Sequence, residues 1–285
     1  MEQGEPTTLV STDWLAEHIK DPDLRILDGS WYLPLAKRNP KDEYDIGHIP
    51  SARFFDIDEI SDQSSLFPHM APSPEKFIAR MQAMGIGDGH QVVVYDSAGL
   101  MSAARVWWLF RLMGKPNVAV LDGGLPKWRA EGHPIEDLRP VVNKRHFSAR
   151  FQNQLVRNIS QVEAASKIAD SVIVDARSPG RFAGIDPEPR QDLQSGHIPN
   201  SVNVPFEHLL NSDGTMKDHA GLKDALHAGK VDLSKPVIAT CGSGITACIL
   251  ALAFERLGKF DWSVYDGSWA EWGASEDVEK VTGEI

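Results

Sequence analysis

The same short words occur twice in this sequence, in one order and at nearly constant spacing. Gly47-His48-Ile49-Pro50 returns as Gly196-His197-Ile198-Pro199, and the stretch that follows, Ser51–Phe55, has its partner in Ser201–Pro205. Upstream, Arg25-Ile26-Leu27-Asp28 is matched by Val172-Ile173-Val174-Asp175. Downstream, the run ending in Asp96 is matched by the run ending in Cys241. Leu121-Asp122-Gly123-Gly124 is matched by Tyr265-Asp266-Gly267-Ser268, and Trp128 and Trp272 each follow their Asp by six residues. The offsets are 147, 149, 145 and 144, so the register barely drifts. Such self-similarity is the mark of a repeated structural unit. A chain of 285 residues, which length alone assigns to about two domains, is therefore constrained to fold as two copies of one architecture.

Within each copy, β-branched runs alternate with helical patterns. Ile26–Asp28, Arg53–Asp56, Val92–Asp96 and Val118–Asp122 read as buried strands, with partners at Val172–Asp175, Val202–Val204, Val237–Thr240 and Val264–Asp266. Thr12 reads as the N-cap of a first helix. Ser73-Pro74 opens another that Gly85 closes, and Thr246–Leu257 is stopped by Gly258. This alternation predicts an α/β fold in which each copy is a mostly parallel sheet flanked by helices. The boundaries read as 8–139 for the first domain, 140–158 for a linker without periodicity, and 159–285 for the second.

Composition narrows the class. Hydrophobic residues make up 42% of the chain, with eight Trp and eleven Phe, enough for two cores. A net charge of −11 and the absence of a basic run argue against nucleic-acid binding, which needs clustered Lys and Arg. Residues 236–254 carry no charge, but Pro236, Gly242 and Gly244 make that stretch strand, loop and helix rather than a membrane span. The start, Met1–Thr8, has no basic or apolar targeting pattern. The two cysteines, Cys241 and Cys248, would lie about 10 Å apart along one helix, beyond the reach of about 7 Å for a disulfide. A reducing, cytoplasmic setting is expected. Neither cysteine has partners at zinc-ligand spacing.

Duplication also separates fold from function: what both copies carry is scaffold, and what one copy carries is a candidate for chemistry. His48 and His197 thus read as turn-fixing imidazoles. Cys241 is different, because its counterpart is Asp96. It heads Cys241-Gly242-Ser243-Gly244-Ile245-Thr246, between a strand and a helix. Two glycines let successive N–H groups converge into an anion-holding nest. The helix N-terminus favours the thiolate, lowering a thiol pKa from about 8.5. Cys248, inside the apolar helix, reads as core.

These paired modules, the Asp96/Cys241 asymmetry and the six-residue loop resemble the tandem-domain rhodanese family. The resemblance implies two rhodanese-like domains, the N-terminal one non-catalytic, and a Cys241 that cycles between thiolate and persulfide with no metal or organic cofactor. Family members specific for thiosulfate carry basic residues inside the loop; positions 242–246 here have none. The loop is more similar to that of the 3-mercaptopyruvate sulfurtransferases, so the implied donor is 3-mercaptopyruvate, the product pyruvate, and the acceptor a thiol such as thioredoxin or glutathione, or cyanide. The same resemblance places donor-carboxylate binding at Arg181 in Gly180-Arg181-Phe182 and at Arg190 in Pro-Glu-Pro-Arg, with Gly242, Gly244, Ile245 and Thr246 lining the loop. These arginines lie where the second copy is longer: Asp175 to His197 spans 22 positions, against 20 from Asp28 to His48. Arg177 reads as a structural ion pair. An Asp–His–Ser arrangement described for the mercaptopyruvate enzymes falls on Asp58, His69 and Ser243. Thiosulfate as donor and a non-catalytic binding role remain alternatives. The rhodanese-related tyrosine phosphatases need Arg six residues after the Cys, and position 247 is Ala.

Overall fold

The computed structural model describes residues 7–190 and 192–283. Residues 1–6, which carry most of the reading that no targeting signal is present, lie outside the described residues. The chain divides into two compact units. Unit 1 comprises the chain up to Gln63, Ala71–Gln152 and Ser212–Met216; unit 2 comprises Ser64–Met70, Asn153–Asn211 and the chain from Lys217 onward.

In unit 1 the strands are β1 (Leu9–Val10), β2 (Leu24–Asp28), β3 (Arg53–Phe54), β4 (Gln91–Tyr95) and β5 (Val118–Leu121), in the order β1-β5-β4-β2-β3. Every pairing is parallel. The helices are α1 (Thr12–His18), α2 (Pro40–Ile46), α3 (Ile57–Ile60), α4 (Pro74–Ala83), α5 (Ala103–Leu112) and α6 (Gly124–Ala130). In unit 2, β6 (Val156–Arg157), β7 (Val172–Asp175), β8 (Val202–Asn203), β9 (Val237–Thr240) and β10 (Trp262–Tyr265) run in the order β6-β10-β9-β7-β8, again all parallel. Its helices are α7 (Ile159–Ile168), α8 (Pro179–Phe182), α9 (His219–Ala228), α10 (Ala247–Arg256) and α11 (Ser268–Trp272). The two topologies are identical, as the repeated words require. Central strands β4 and β9 are buried along their β-branched residues, the pattern of a sheet covered on both faces. Each fully buried Val or Ile contributes about 1.5–3 kcal/mol.

The repeated histidines are fastened to the backbone. His48 Nδ1 lies 2.7 Å from the Tyr44 carbonyl and its ring stacks on Tyr44; His197 Nδ1 lies 2.8 Å from the Phe182 carbonyl and stacks on Phe182. Each also exchanges a pair of main-chain hydrogen bonds, His48 with Glu136 and His197 with Val281.

Three local expectations change. The N-cap of α1 is Ser11, whose hydroxyl accepts the Trp14 N–H; Thr12 is buried inside the helix and donates instead to Glu131. Edge strands β1 and β6 are two residues long, too short to show periodicity. The stretch 140–158 is not a free connector. Phe147 packs on Phe77 and Phe110, and the Arg150 and Gln152 N–H groups bond to Met113 and Leu112, which fastens this part to unit 1; β6 then joins the unit 2 sheet. A single apolar anchor in a polar sequence leaves no periodic trace.

One difference between the copies has a consequence for stability. Asp175 is paired with the guanidinium of Arg177, whereas the position equivalent to Arg177 in unit 1 is Ser30. Asp28 therefore sits buried with hydrogen bonds from Ser30 and Tyr95 but no ion-pair partner among the described residues, and burial raises its pKa to about 6. A carboxyl whose folded pKa exceeds its unfolded value stabilises the fold when protonated, and that stability is lost as pH rises from about 4 to about 6. Asp28→Asn keeps an acceptor for the Ser30 N–H and removes the ionisation. It should stabilise the protein at pH 7.5 by about 1–3 kcal/mol and flatten the decline between pH 4 and 6. Urea titrations at pH 4.5 and 7.5 test this, and an unchanged pH dependence would refute it.

Candidate functional site

The loop after β9 is clamped by its main chain. Cys241, 2% exposed, donates its N–H to Ser268 Oγ at 3.2 Å and accepts the Trp269 N–H at 3.0 Å. The Gly242 carbonyl accepts the Ala270 N–H at 2.9 Å, so the start of α11 holds the first two loop residues. Ser268 also donates to the Tyr265 carbonyl at 2.8 Å. The loop turns at Gly244 with φ +77°, a left-handed conformation costly for other residues, and α10 starts three residues later. Cys248, buried in α10, donates its thiol to the Gly244 carbonyl at 3.2 Å.

Unit 1 shows what such a loop does. Asp96, in the position of Cys241, accepts hydrogen bonds at 2.7–2.9 Å from the N–H groups of Ala98, Met101, Ser102 and Ala103. Gly99, with φ +113°, matches Gly244. Its nest is thus filled by the chain's own carboxylate. The offset of 145 places Ser243, Thr246, Ala247 and Cys248 at the corresponding amides in unit 2, with a cysteine in place of the carboxylate. Ser243 and Ile245 are buried and Thr246 is partly exposed.

Arg181, on α8, reaches this loop. A Cβ at Gly242 would stand 3.0 Å from Arg181 Nη2, so glycine there lets the guanidinium lie against the backbone. Glu188 holds it, with Oε2 2.6 Å from Nη2. The same carboxylate takes Arg177 Nη1 at 2.8 Å, and Arg177 in turn bonds to Asp175 and the Gly196 carbonyl and lies over the Trp269 ring. Two guanidiniums and two carboxylates thus form one chain of charges. Glu188 is 2% exposed and Arg181, at its end, 21%. Arg177 is the structural ion pair that its Asp175-Ala176-Arg177 word suggests. Arg190 is partly exposed and precedes Gln191, which lies outside the described residues.

His69 and Ser243, 174 residues apart, meet in unit 2 with His69 Nδ1 3.0 Å from Ser243 Oγ. Both are buried, and His69 holds a left-handed φ of +62°. Asp58 lies on α3 of unit 1, where its two oxygens accept the Trp31 indole N–H at 3.1 Å.

Two residues of the site escaped the sequence reading. Glu188 was visible only as part of Pro-Glu-Pro-Arg, a carboxylate between arginines. Ser268 had a clearer signal: it replaces Gly124 of the first copy at a left-handed position, φ +49° against +55°. A side chain retained where glycine is easier points to work for its hydroxyl. Among the described residues no cluster of His, Cys, Asp and Glu suits a metal ion.

Two units of one parallel α/β topology, with cysteine heading the nest loop in one and aspartate in the other, define a two-domain α/β protein with a single candidate nucleophile. The rhodanese-like domain model matches residues 11–131 and 158–275, and the chain belongs to this family. It is 44% identical to a thiosulfate/3-mercaptopyruvate sulfurtransferase of Arabidopsis thaliana named as mitochondrial, over 95% of this chain and 77% of that one. It is 45% identical to the thiosulfate sulfurtransferase of Rattus norvegicus, over 93% and 91%. The solved structure of SseA from Escherichia coli, titled a 3-mercaptopyruvate sulfotransferase, superposes with a TM-score of 0.85 at 38% identity, covering 93% of this chain and 99% of that one.

The charge chain makes Glu188 a keystone. Glu188→Gln removes a buried countercharge from two arginines and should cost about 3 kcal/mol, read by urea denaturation at pH 7.5. A loss below about 1 kcal/mol would mean that Glu188 does not hold the network together.

Proposed function

We propose that this chain is a sulfurtransferase that takes sulfur from 3-mercaptopyruvate onto Cys241, releases pyruvate, and passes the sulfur to a thiol acceptor. The observation that carries the reading is the contrast between the two nests. Asp96 shows three amides closing on Oδ2, an anionic atom two bonds beyond Cβ, with a fourth on Oδ1. A persulfide on Cys241 would put its terminal sulfur at that same remove. The second copy of the loop is therefore suited to a bound persulfide anion, and the sulfur needs no metal or organic cofactor to carry it.

In the first half-reaction the Cys241 thiolate attacks the donor sulfur. The donor C–S bond breaks, its electron pair passes to carbon, and the enolate of pyruvate takes a proton. Ser243, hydrogen-bonded to His69, is the polarised hydroxyl suited to that charge; Asp58 completes the set in the resemblance. In the second half-reaction an acceptor thiolate, from thioredoxin or glutathione, or cyanide in an assay, attacks the outer sulfur. The S–S bond breaks and the Cys241 thiolate is restored.

Donor choice follows from charge. The loop carries no cation, and Glu188 offsets Arg181, so a donor with one carboxylate suits the site better than the thiosulfate dianion. Arg181, with Arg190 as its partner, holds that carboxylate in this reading. Two free cysteines suit a reducing compartment such as the cytoplasm. Thiosulfate is the second donor to weigh, since the rat relative is named for it.

Incubation with 3-mercaptopyruvate followed by intact mass should show one added sulfur atom, absent in Cys241→Ser. No adduct on the native chain would favour a binding role instead. The ratio of kcat/KM for the two donors decides specificity, and a preference for thiosulfate would overturn the donor assignment. Arg181→Gln should lower kcat/KM for 3-mercaptopyruvate about 10- to 100-fold, chiefly through KM, as expected for a lost charge-assisted contact.

A further inference from the structure

We propose that unit 1 keeps a second, non-covalent binding site for a small organic monoanion. A cavity of about 360 Å³ lies in this unit between Arg38, Arg129, Ser97, Ile46, Leu125 and Pro126, with Glu43 on its wall. Its place is informative. Ser97 follows Asp96 as Gly242 follows Cys241, so the cavity opens beside the Asp96 loop as Arg181 stands beside the Cys241 loop.

The arginine of that arrangement is also repeated in form. Arg38 binds Glu43 through Nε at 2.7 Å and Nη2 at 2.6 Å, and its guanidinium stacks over the Tyr32 ring with 3.9 Å to the centroid. Tyr32 donates its hydroxyl to the same carboxylate at 2.7 Å. Glu43 is thereby engaged from two sides, and its hydrogen bonds from Arg38 hold its pKa below the usual carboxyl range. Glu43 does for Arg38 what Glu188 does for Arg181. Arg129 is oriented from another direction, with Nη2 donating to the Gly47 carbonyl at 3.0 Å.

The two guanidiniums are held through Nε and Nη2 of Arg38 and Nη2 of Arg129, which leaves their Nη1 groups as donors for a ligand. Their two positive charges, less that of Glu43, leave one, which selects a monoanion. The Ser97 hydroxyl, 3.1 Å from Ser30 Oγ, adds a polar group to the wall. Ile46, Leu125 and Pro126 supply an apolar wall for a short carbon body. Volumes of this order suit small-molecule ligands. Because Asp96 fills the nest with its own carboxylate, the site binds without forming a covalent bond. A short-chain carboxylate such as a 2-oxo acid fits these terms.

Pyruvate serves as the probe. Calorimetric titration into the Cys241→Ser/Arg181→Gln protein, in which the unit 2 site is weakened, should find one pyruvate bound per chain. Adding Arg38→Gln or, separately, Arg129→Gln should weaken it at least about tenfold, with thermal melting showing each variant folded. In the otherwise native chain the same two substitutions should leave sulfur loading of Cys241 intact by mass, so failure here and failure of the sulfurtransferase reading are told apart. Absence of pyruvate binding to the Cys241→Ser/Arg181→Gln protein, or binding indifferent to both Arg38→Gln and Arg129→Gln, would overturn the proposal.

Discussion

A turn that points several backbone N–H groups inward must supply them with an acceptor, because an unpaired buried donor costs as much as a lost hydrogen bond. Much of this protein's organisation meets that requirement at two equivalent places. In unit 1 Asp96 is the acceptor, and its carboxylate closes the loop permanently. In unit 2 a cysteine stands there; its carbonyl accepts the Trp269 N–H as the Asp96 carbonyl accepts that of Leu125, and Ser268 and Ala270 add further bonds to the loop. The bond to Ser268 makes sense of a hydroxyl at position 268, where the first copy manages with glycine.

The second organising element is the charge chain from Asp175 through Arg177 and Glu188 to Arg181. Its inner members are buried, so each charge persists by being paired. Its outer member faces Gly242 and is partly exposed, so the network holds a guanidinium beside the Cys241 loop. In a chain of net charge −11, attraction of an anion depends on such local placement. Unit 1 uses the same device on a smaller scale, with Arg38 held by Glu43 and Tyr32.

Legibility followed physical range. The duplication exposed the fold, since parallel strands buried on both faces leave β-branched runs that repeat with the loops between them. It also exposed Cys241, as the nest residue at which one copy carries a carboxylate and the other a thiol. The sequence misplaced the α1 cap because Ser11 and Thr12 are chemically alike, and a long-range partner, Glu131, decides between them. It left 140–158 as a linker because a lone Phe147 carries no period.

From sequence alone, then, come the two copies, their parallel α/β class, the nest loop and its cysteine, because each is written in residues close together in the chain. The tertiary structure alone decided that residues 64–70 belong to unit 2, which brings His69 to Ser243. It also decided that Glu188 grips Arg177 and Arg181 together and that Ser268 closes the loop. Those contacts join side chains by hydrogen bonds and charge across long chain separations, and such pairings impose no local pattern on the sequence.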